Sequence, residues 1–242
     1  MKKTVIVNGQ LVHYYCTGQG EAVILIHGLC GSSLWWDRNV ATIAEHYQVY
    51  MIDLPGFGNM RHARKQFTIH NCSAYIHAWM QAIGLAAAHL VGHSMGGYIC
   101  MTLALQHPEQ VRSLVLIDTI GIPLHRSVIQ MLWPLVKDAV RTAPTFWPIL
   151  CYDALRAGPI TLWRAAQEIV ALDATTTITS IKTSLLLLWG KNDNLVPLTS
   201  GEKIHTMIEG ASLVILPKAN HISMYEEAQT FNEELLSFLR KA

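Results

Sequence analysis

Charge is what this 242-residue sequence has least of: Asp, Glu, Lys and Arg make up 14% of it, with 18 basic residues against 17 acidic. Soluble domains usually carry about 25%. With 51% hydrophobic residues the shortage excludes intrinsic disorder. The near balance of signs leaves neither a basic footprint for nucleic acid nor an acidic tail. The densest basic cluster, Arg61, His62, Arg64 and Lys65, is short and has no aromatic residues interleaved, as suits a solvated loop. Cysteine offers no framework either. Cys16, Cys30, Cys72, Cys100 and Cys151 are odd in number and lack metal-ligand spacing, so they read as small apolar residues of a reduced, cytoplasmic protein without a metal site. Long hydrophobic runs are missing as well. Ala22–Ile26 and residues 185–189 are far too short to span a bilayer, and residues 1–9 break too early for a signal peptide. No nucleic-acid and no membrane partner is expected, and the chain reads as a monomer or homodimer.

What is present is an alternation of strand and helix patterns. Residues 4–7 end at Asn8-Gly9 and residues 11–16 follow, which reads as a hairpin. The unbroken apolar run Ala22–Ile26 suits a central parallel strand covered on both faces. Helix 35–45 and strand 47–52 come next. Thr68 then caps a helix whose Cys72, Tyr75, Ile76, Trp79, Met80 and Ile83 fall at three- and four-residue spacing. Strand 89–91, helix Met95–Gln106 and strand 114–117 continue the pattern; strand 185–189, helix 199–207, strand 213–216 and helix 224–239 close it. Such alternation implies crossovers and a mostly parallel sheet of about eight strands with an antiparallel leading hairpin, an α/β architecture. Residues 119–180 break the pattern: they hold no convincing strand, and Pro123, Pro134, Pro144, Pro148 and Pro159 chop them into short helices. They read as a helical insertion on a core formed by residues 1–118 and 181–242.

The chemistry concentrates at strand ends. Gly92-His93-Ser94-Met95-Gly96-Gly97 follows a strand and opens a helix, where a serine on a tight turn exposes its hydroxyl beside unpaired helix N–H groups. A serine hydroxyl needs a base, and the base needs an orienting acid. Asp193 comes just after one late strand and His221 just after the next. The order Ser94, Asp193, His221 is that of a nucleophile-elbow hydrolase triad. Asp118, ending strand 114–117, is a rival acid, whereas Asp53 suits the task of tying down its own loop. His27-Gly28-Leu29-Cys30-Gly31-Ser32 follows the first buried strand, and the N–H groups of Leu29 and Met95 form the natural oxyanion pair. The glycine spacing excludes Walker-type and dinucleotide fingerprints, so no cofactor is expected.

These segments, with Asp53-Leu54-Pro55-Gly56-Phe57-Gly58 and Asn220-His221, make the chain resemble a capped α/β-hydrolase over nearly its whole length. The resemblance implies Ser94 as nucleophile, His221 as general base and acid, Asp193 as its orienter, Leu29 and Met95 as oxyanion donors, and 119–180 as a lid. Haloalkane dehalogenases and epoxide hydrolases of this fold use an aspartate where this chain has Ser94, which disfavours those activities. The short, aromatic lid suggests a pocket lined by Trp133, Phe146, Trp147 and Trp163. The expected function is therefore a serine hydrolase cleaving small to medium uncharged carboxylic esters through an acyl-enzyme. The alternatives are a carbon–carbon bond hydrolase, lactonase or cofactor-free perhydrolase, and, from another class, a hydrolase-derived ligand receptor.

Overall fold

The computed structural model describes residues 1–242, except for the side chains of Arg64, Lys65 and Gln66. Two members of the basic cluster, Arg64 and Lys65, thus lie outside the described side chains. The hairpin forms as expected: β1 (Lys2–Val7) pairs antiparallel with β2 (Gln10–Thr17) across Asn8 and Gly9, both at positive φ. Then follow β3 (Ala22–Ile26), β4 (Gln48–Ile52), β5 (Ala88–His93), β6 (Val111–Ile117), β7 (Leu185–Gly190) and β8 (Ser212–Leu216). The eight-stranded sheet runs β1-β2-β4-β3-β5-β6-β7-β8, antiparallel at β1-β2-β4 and parallel from β4 to β8.

Because side chains alternate across a strand, each central strand feeds two cores. Ile24, Ile26, Leu90, Leu116 and Leu187 pack toward α2 (Ile69–Ala82), α3 (Met95–Gln106) and α7 (Leu198–Met207). Val23, Leu25, Val91, Val115 and Leu188 pack on the other face toward α1 (Val40–Ala44) and α9 (Ala228–Leu239). That double burial is why these strands read as unbroken apolar runs. It also sets their carboxyl ends side by side at one edge, where ligand crevices of open α/β sheets lie.

Several boundaries differ from the sequence expectation. Residues 35–45 do not form one helix but a 3-10 turn, Ser33–Trp36, and the single turn of α1, because Ser33 N–H is taken by Asp53 and Asn39 by the C-terminal segment. The closing helix is split at Glu227 into α8 (Ser223–Glu226) and α9. The insertion contains α4 (Val128–Arg141), α5 (Trp147–Ala157) and α6 (Pro159–Ala171), with no strand among the described residues. Pro134 does not break α4 but lies inside it, and the capping box of Ser127 and Gln130 secures the helix start.

Phe146, expected to line a pocket, is instead fully buried in the α1/α9-side core, with ring centroids 5.2 Å from Trp35 and 4.8 Å from Tyr225. It plugs the joint between the insertion and the sheet. Phe146→Ala should therefore lower stability by about 3–5 kcal/mol, the usual cost of emptying a buried aromatic site. Denaturant unfolding measures this, and substrate preference should stay unchanged; a shifted preference with unaltered stability would return Phe146 to the pocket.

Candidate active site

The turn from β5 into α3 holds Ser94 at φ +52°, ψ −115°, a backbone shape strained for any residue with a side chain. It is tolerated because the turn is clamped. Ser94 N–H donates to Ile117 O at 2.8 Å, and Thr119 Oγ donates to Ser94 O at 3.1 Å. The glycine at 96 is obligatory, since any side chain there would drive into the carbonyls of Ile26 and His27. Strain and close approach together present Ser94 Oγ at the sheet edge, although the residue is only 5% exposed.

Asp193 and His221 converge on it. Ser94 Oγ lies 3.1 Å from His221 Nε2, and His221 Nδ1 lies 2.7 Å from Asp193 Oδ2. Imidazole chemistry assigns the proton on Nδ1 to the carboxylate and leaves Nε2 to accept from the serine. The other oxygen of Asp193 accepts from Leu195 N and Val196 N, each at 2.8 Å, so the carboxylate is aimed by its own loop. Burial by itself would lower the basicity of His221. The carboxylates of Asp193, Asp118 and Asp138 outweigh it and hold the imidazole up to about 9.

Leu29 and Met95 lie where the resemblance implies. Neither backbone N–H donates to another protein group among the described residues. Met95 opens α3, where no intrahelical carbonyl exists for it. A side chain added at Gly28 would come within 3.1 Å of Ser94 Cβ and press on His93, which shows how closely the loop after β3 approaches the serine. His27 fixes that loop: its Nδ1–H donates to Gly28 O at 2.8 Å while Nε2 accepts from Leu54 N at 3.0 Å. Asp53 accepts from Ser33 N and Asn59 N, each at 2.7 Å, tying the loop after β4 to the loop after β3.

Four residues around the site carry tasks that no local pattern announces. Buried His93 donates from Nε2 to the backbone carbonyl of His221 at 2.8 Å; burial, with His221 nearby, lowers its basicity and keeps it neutral. Asp118 Oδ1 accepts from Gly190 N at 2.7 Å, and Oδ2 is hydrogen-bonded to Ser223 Oγ at 2.5 Å. It thus ties the β7 end leading to Asp193 to the turn following His221. Burial, reinforced by Asp193, pushes it toward its neutral form. Asp138 reaches inward from α4 and accepts from Asn194 N and Leu195 N, both at 3.0 Å, and from Asn194 Nδ2 at 2.6 Å. Asp153 of α5 accepts from Ser32 Oγ at 2.8 Å and Trp35 Nε1 at 3.1 Å, anchoring the insertion to the loop of Leu29. The insertion is therefore docked on both loops that flank the serine.

The expected pocket aromatics do not gather there. Trp133 is 73% exposed, Trp163 48% and Trp147 39%. These three turn to solvent, and Phe146 sits in the core. Among the described residues no cluster of metal-ligating side chains exists, and no helix is long and apolar enough to cross a membrane.

Residues 21–148 match the sequence model of a family described as alpha/beta hydrolase fold. A 2-hydroxy-6-oxo-6-phenylhexa-2,4-dienoate hydrolase of Comamonas testosteroni is 28% identical, covering 96% of this chain and 92% of its own. A 2-hydroxy-6-oxononadienedioate/2-hydroxy-6-oxononatrienedioate hydrolase of Burkholderia vietnamiensis is also 28% identical, covering 95% and 91%. The crystal structure of a membrane phospholipase A, described as a bacterial virulence factor, superposes with a TM-score of 0.83 at 26% identity, over 100% of this chain and 86% of that one.

The two acids should separate on amidation. Asn at 118 can still accept from Gly190 N and donate to Ser223 Oγ, whereas Asn at 193 cannot hold a protonated imidazole. Asp193→Asn should cost about 10⁴-fold in kcat and Asp118→Asn less than about tenfold. The reverse ranking transfers the orienting role to Asp118. The field of Asp138 is also measurable. Its carboxylate raises His221, so the pH at which kcat/KM rises should move to lower pH in Asp138→Asn. An unmoved limb would mean that Asp138 does not act on the imidazole.

Proposed function

The chain belongs to the alpha/beta hydrolase fold family, and from that premise we propose that it hydrolyses a bond at a carbonyl carbon through a covalent intermediate on Ser94. The observation that carries this reading is the hydrogen-bonded line from Ser94 Oγ through His221 to Asp193. In the proposed cycle His221 Nε2 takes the hydroxyl proton as Oγ adds to the carbonyl. Asp193 keeps the imidazolium oriented and stabilised. The negative charge that develops on the carbonyl oxygen meets the N–H groups of Leu29 and Met95, which have no other partner to give up. His221 then delivers its proton to the leaving group, and water releases the acyl group by the reverse sequence.

The bond put first is the carbon–carbon bond beside the ketone of a vinylogous diketone. Its support is the two dienoate-type hydrolases, which match 96% and 95% of this chain. The chemistry of the site suits it. A carbon leaving group departs only if its electron pair is taken up as an enolate, and that carbon must then be protonated by an acid kept ready in a closed site. A His221 held above the ordinary imidazole range is such an acid.

A second reading, an uncharged carboxylic ester, rests on electrostatics. Acidic groups dominate the surroundings of His221, with the Asp193 carboxylate foremost and Asp138 and Glu226 further off. That field opposes an anionic dienoate and leaves a neutral ester unaffected.

Ser94→Ala should lower kcat by about 10⁴-fold or more on any substrate the native chain turns over. Retained activity removes Ser94 from the mechanism. A 6-oxo-dienoate should show a higher kcat/KM than acetyl, butyryl and hexanoyl esters of one chromogenic alcohol. If the esters are faster and the diketone is inert, the ester reading replaces the carbon–carbon one, with the optimum at butyryl to hexanoyl.

A further inference from the structure

The outer face of the insertion is built the wrong way round for a water-facing surface. On α4, Ile129, Leu132, Trp133, Val136 and Val140 fall within an arc of about 100° on the helical wheel, the width of an ordinary core-facing stripe. Here that stripe faces solvent: Ile129 is 69% exposed, Trp133 73% and Val140 72%. Asp138 lies on the opposite side of the helix and is buried against the Asn194 loop. The patch continues onto α6, because Ile129 and Trp163 line one groove; Leu155 of α5 and Ile160 of α6 are also exposed, at 84% and 69%.

The charges of the three helices are sorted by sign. Every acid turns inward: Asp138 to the Asn194 loop, Asp153 to Ser32 and Trp35, and Glu168 to the N–H of Ile69 at 2.6 Å. Arg156 is used by Gly58 O. The exposed charges that remain on α4–α6 are Lys137, Arg141 and Arg164, all cations. The overall charge of +1 conceals this sorting.

An apolar stripe edged by cations, with tryptophans at the boundary, is the composition of a helix lying in a lipid–water interface. We propose that this face of α4–α6 docks on an anionic lipid surface, with α4 parallel to the surface, its apolar stripe at the acyl boundary and Lys137, Arg141 and Arg164 on lipid phosphates. The whole-chain composition, which led to the expectation of no membrane contact, cannot register a patch of this kind. A second copy of the chain fits less well. A two-fold contact sets the same patch against itself, so cations would meet cations with no exposed acid on these helices to pair them. A lipid surface supplies both hydrocarbon and negative charge. The proposal concerns a surface, so it is independent of which bond Ser94 opens.

Co-flotation of the purified chain with vesicles tests it. Vesicles of phosphatidylcholine with about one-third phosphatidylglycerol should carry the protein to the top of the gradient, and pure phosphatidylcholine at least about tenfold less. About 0.5 M salt should release most of the bound protein. The exposed-face variant Trp133→Gln with Val140→Gln, and separately Lys137→Ala with Arg141→Ala, should float at least fivefold less while keeping native circular dichroism. Ser94→Ala should float like the native chain, so loss of catalysis and loss of docking are told apart. No flotation on the anionic vesicles overturns the proposal. So does a concentration-dependent dimer that the Trp133→Gln, Val140→Gln pair abolishes, since it assigns the face to a second copy.

Discussion

The turn at Ser94 is the constraint around which the rest of the site is arranged. A serine held at φ +52° stays there only if strand and helix approach more closely than side chains ordinarily allow. Gly96 must pass against the carbonyls ending β3, and Gly97 against Thr119 at the end of β6. Three neighbouring strands are thereby brought to a common edge, each delivering one part: β3 the loop of Leu29, β5 the serine, and β6 the carboxyl of Asp118. The two strands beyond them add Asp193 and His221. The strain at one residue is offset by a core buried on both faces of the sheet, where the central strands are inaccessible to solvent.

A second tier of polar contacts holds the loops of the site in register. His93 grips the backbone of His221, Asp118 bridges the β7 end to Ser223, and Asp138 and Asp153 come down from the insertion onto the loops of Asp193 and Leu29. None of these need touch a substrate. They keep the reacting groups within hydrogen-bond reach, which a flexible loop alone does not do. The inward acids of the insertion accept backbone and side-chain donors, and two of its cations also face inward, Arg156 onto Gly58 O and Arg126 onto Asn194 O.

The mostly parallel sheet with its antiparallel leading hairpin and the Ser94–His221–Asp193 alignment were legible because each rests on a local signal at a strand end, whereas the order of the strands across the sheet became visible only in the structure. The apolar runs of β3 and β7 announce double burial, and the glycines around Ser94 announce the tight turn. What was not legible depends on partners far away in the chain. Asp138 is the one acid of a helix whose other charges are Lys137 and Arg141, and its donors lie 56 and 57 residues further on. Trp133 sits at helical spacing among Leu, Ile and Val, a pattern that ordinarily means burial, yet the structure turns that face outward. Phe146 fails in the other direction. Its neighbours Trp35 and Tyr225 come from opposite ends of the chain, so nothing near it marks it as core. Pro134 reads as a break but is absorbed by a helix whose start is already capped.

The Asp138 contact also makes the insertion a participant in proton affinity. Its carboxylate belongs to α4, whereas the imidazole it favours belongs to the sheet. Any motion that lifts α4 from the Asn194 loop withdraws negative charge from His221 and lowers its affinity for a proton. The placement of α4 and the protonation of His221 are then thermodynamically linked: docking α4 takes up a fraction of a proton and lifting it releases that fraction. A ligand whose binding required α4 to be docked would accordingly be bound together with that fraction, and its apparent affinity would weaken as the solution becomes more alkaline. In calorimetry the heat of binding would vary with the ionisation enthalpy of the buffer, and the slope would count the protons carried in. A single aspartate facing inward from the insertion thus couples the placement of α4 to the protonation of the base it faces.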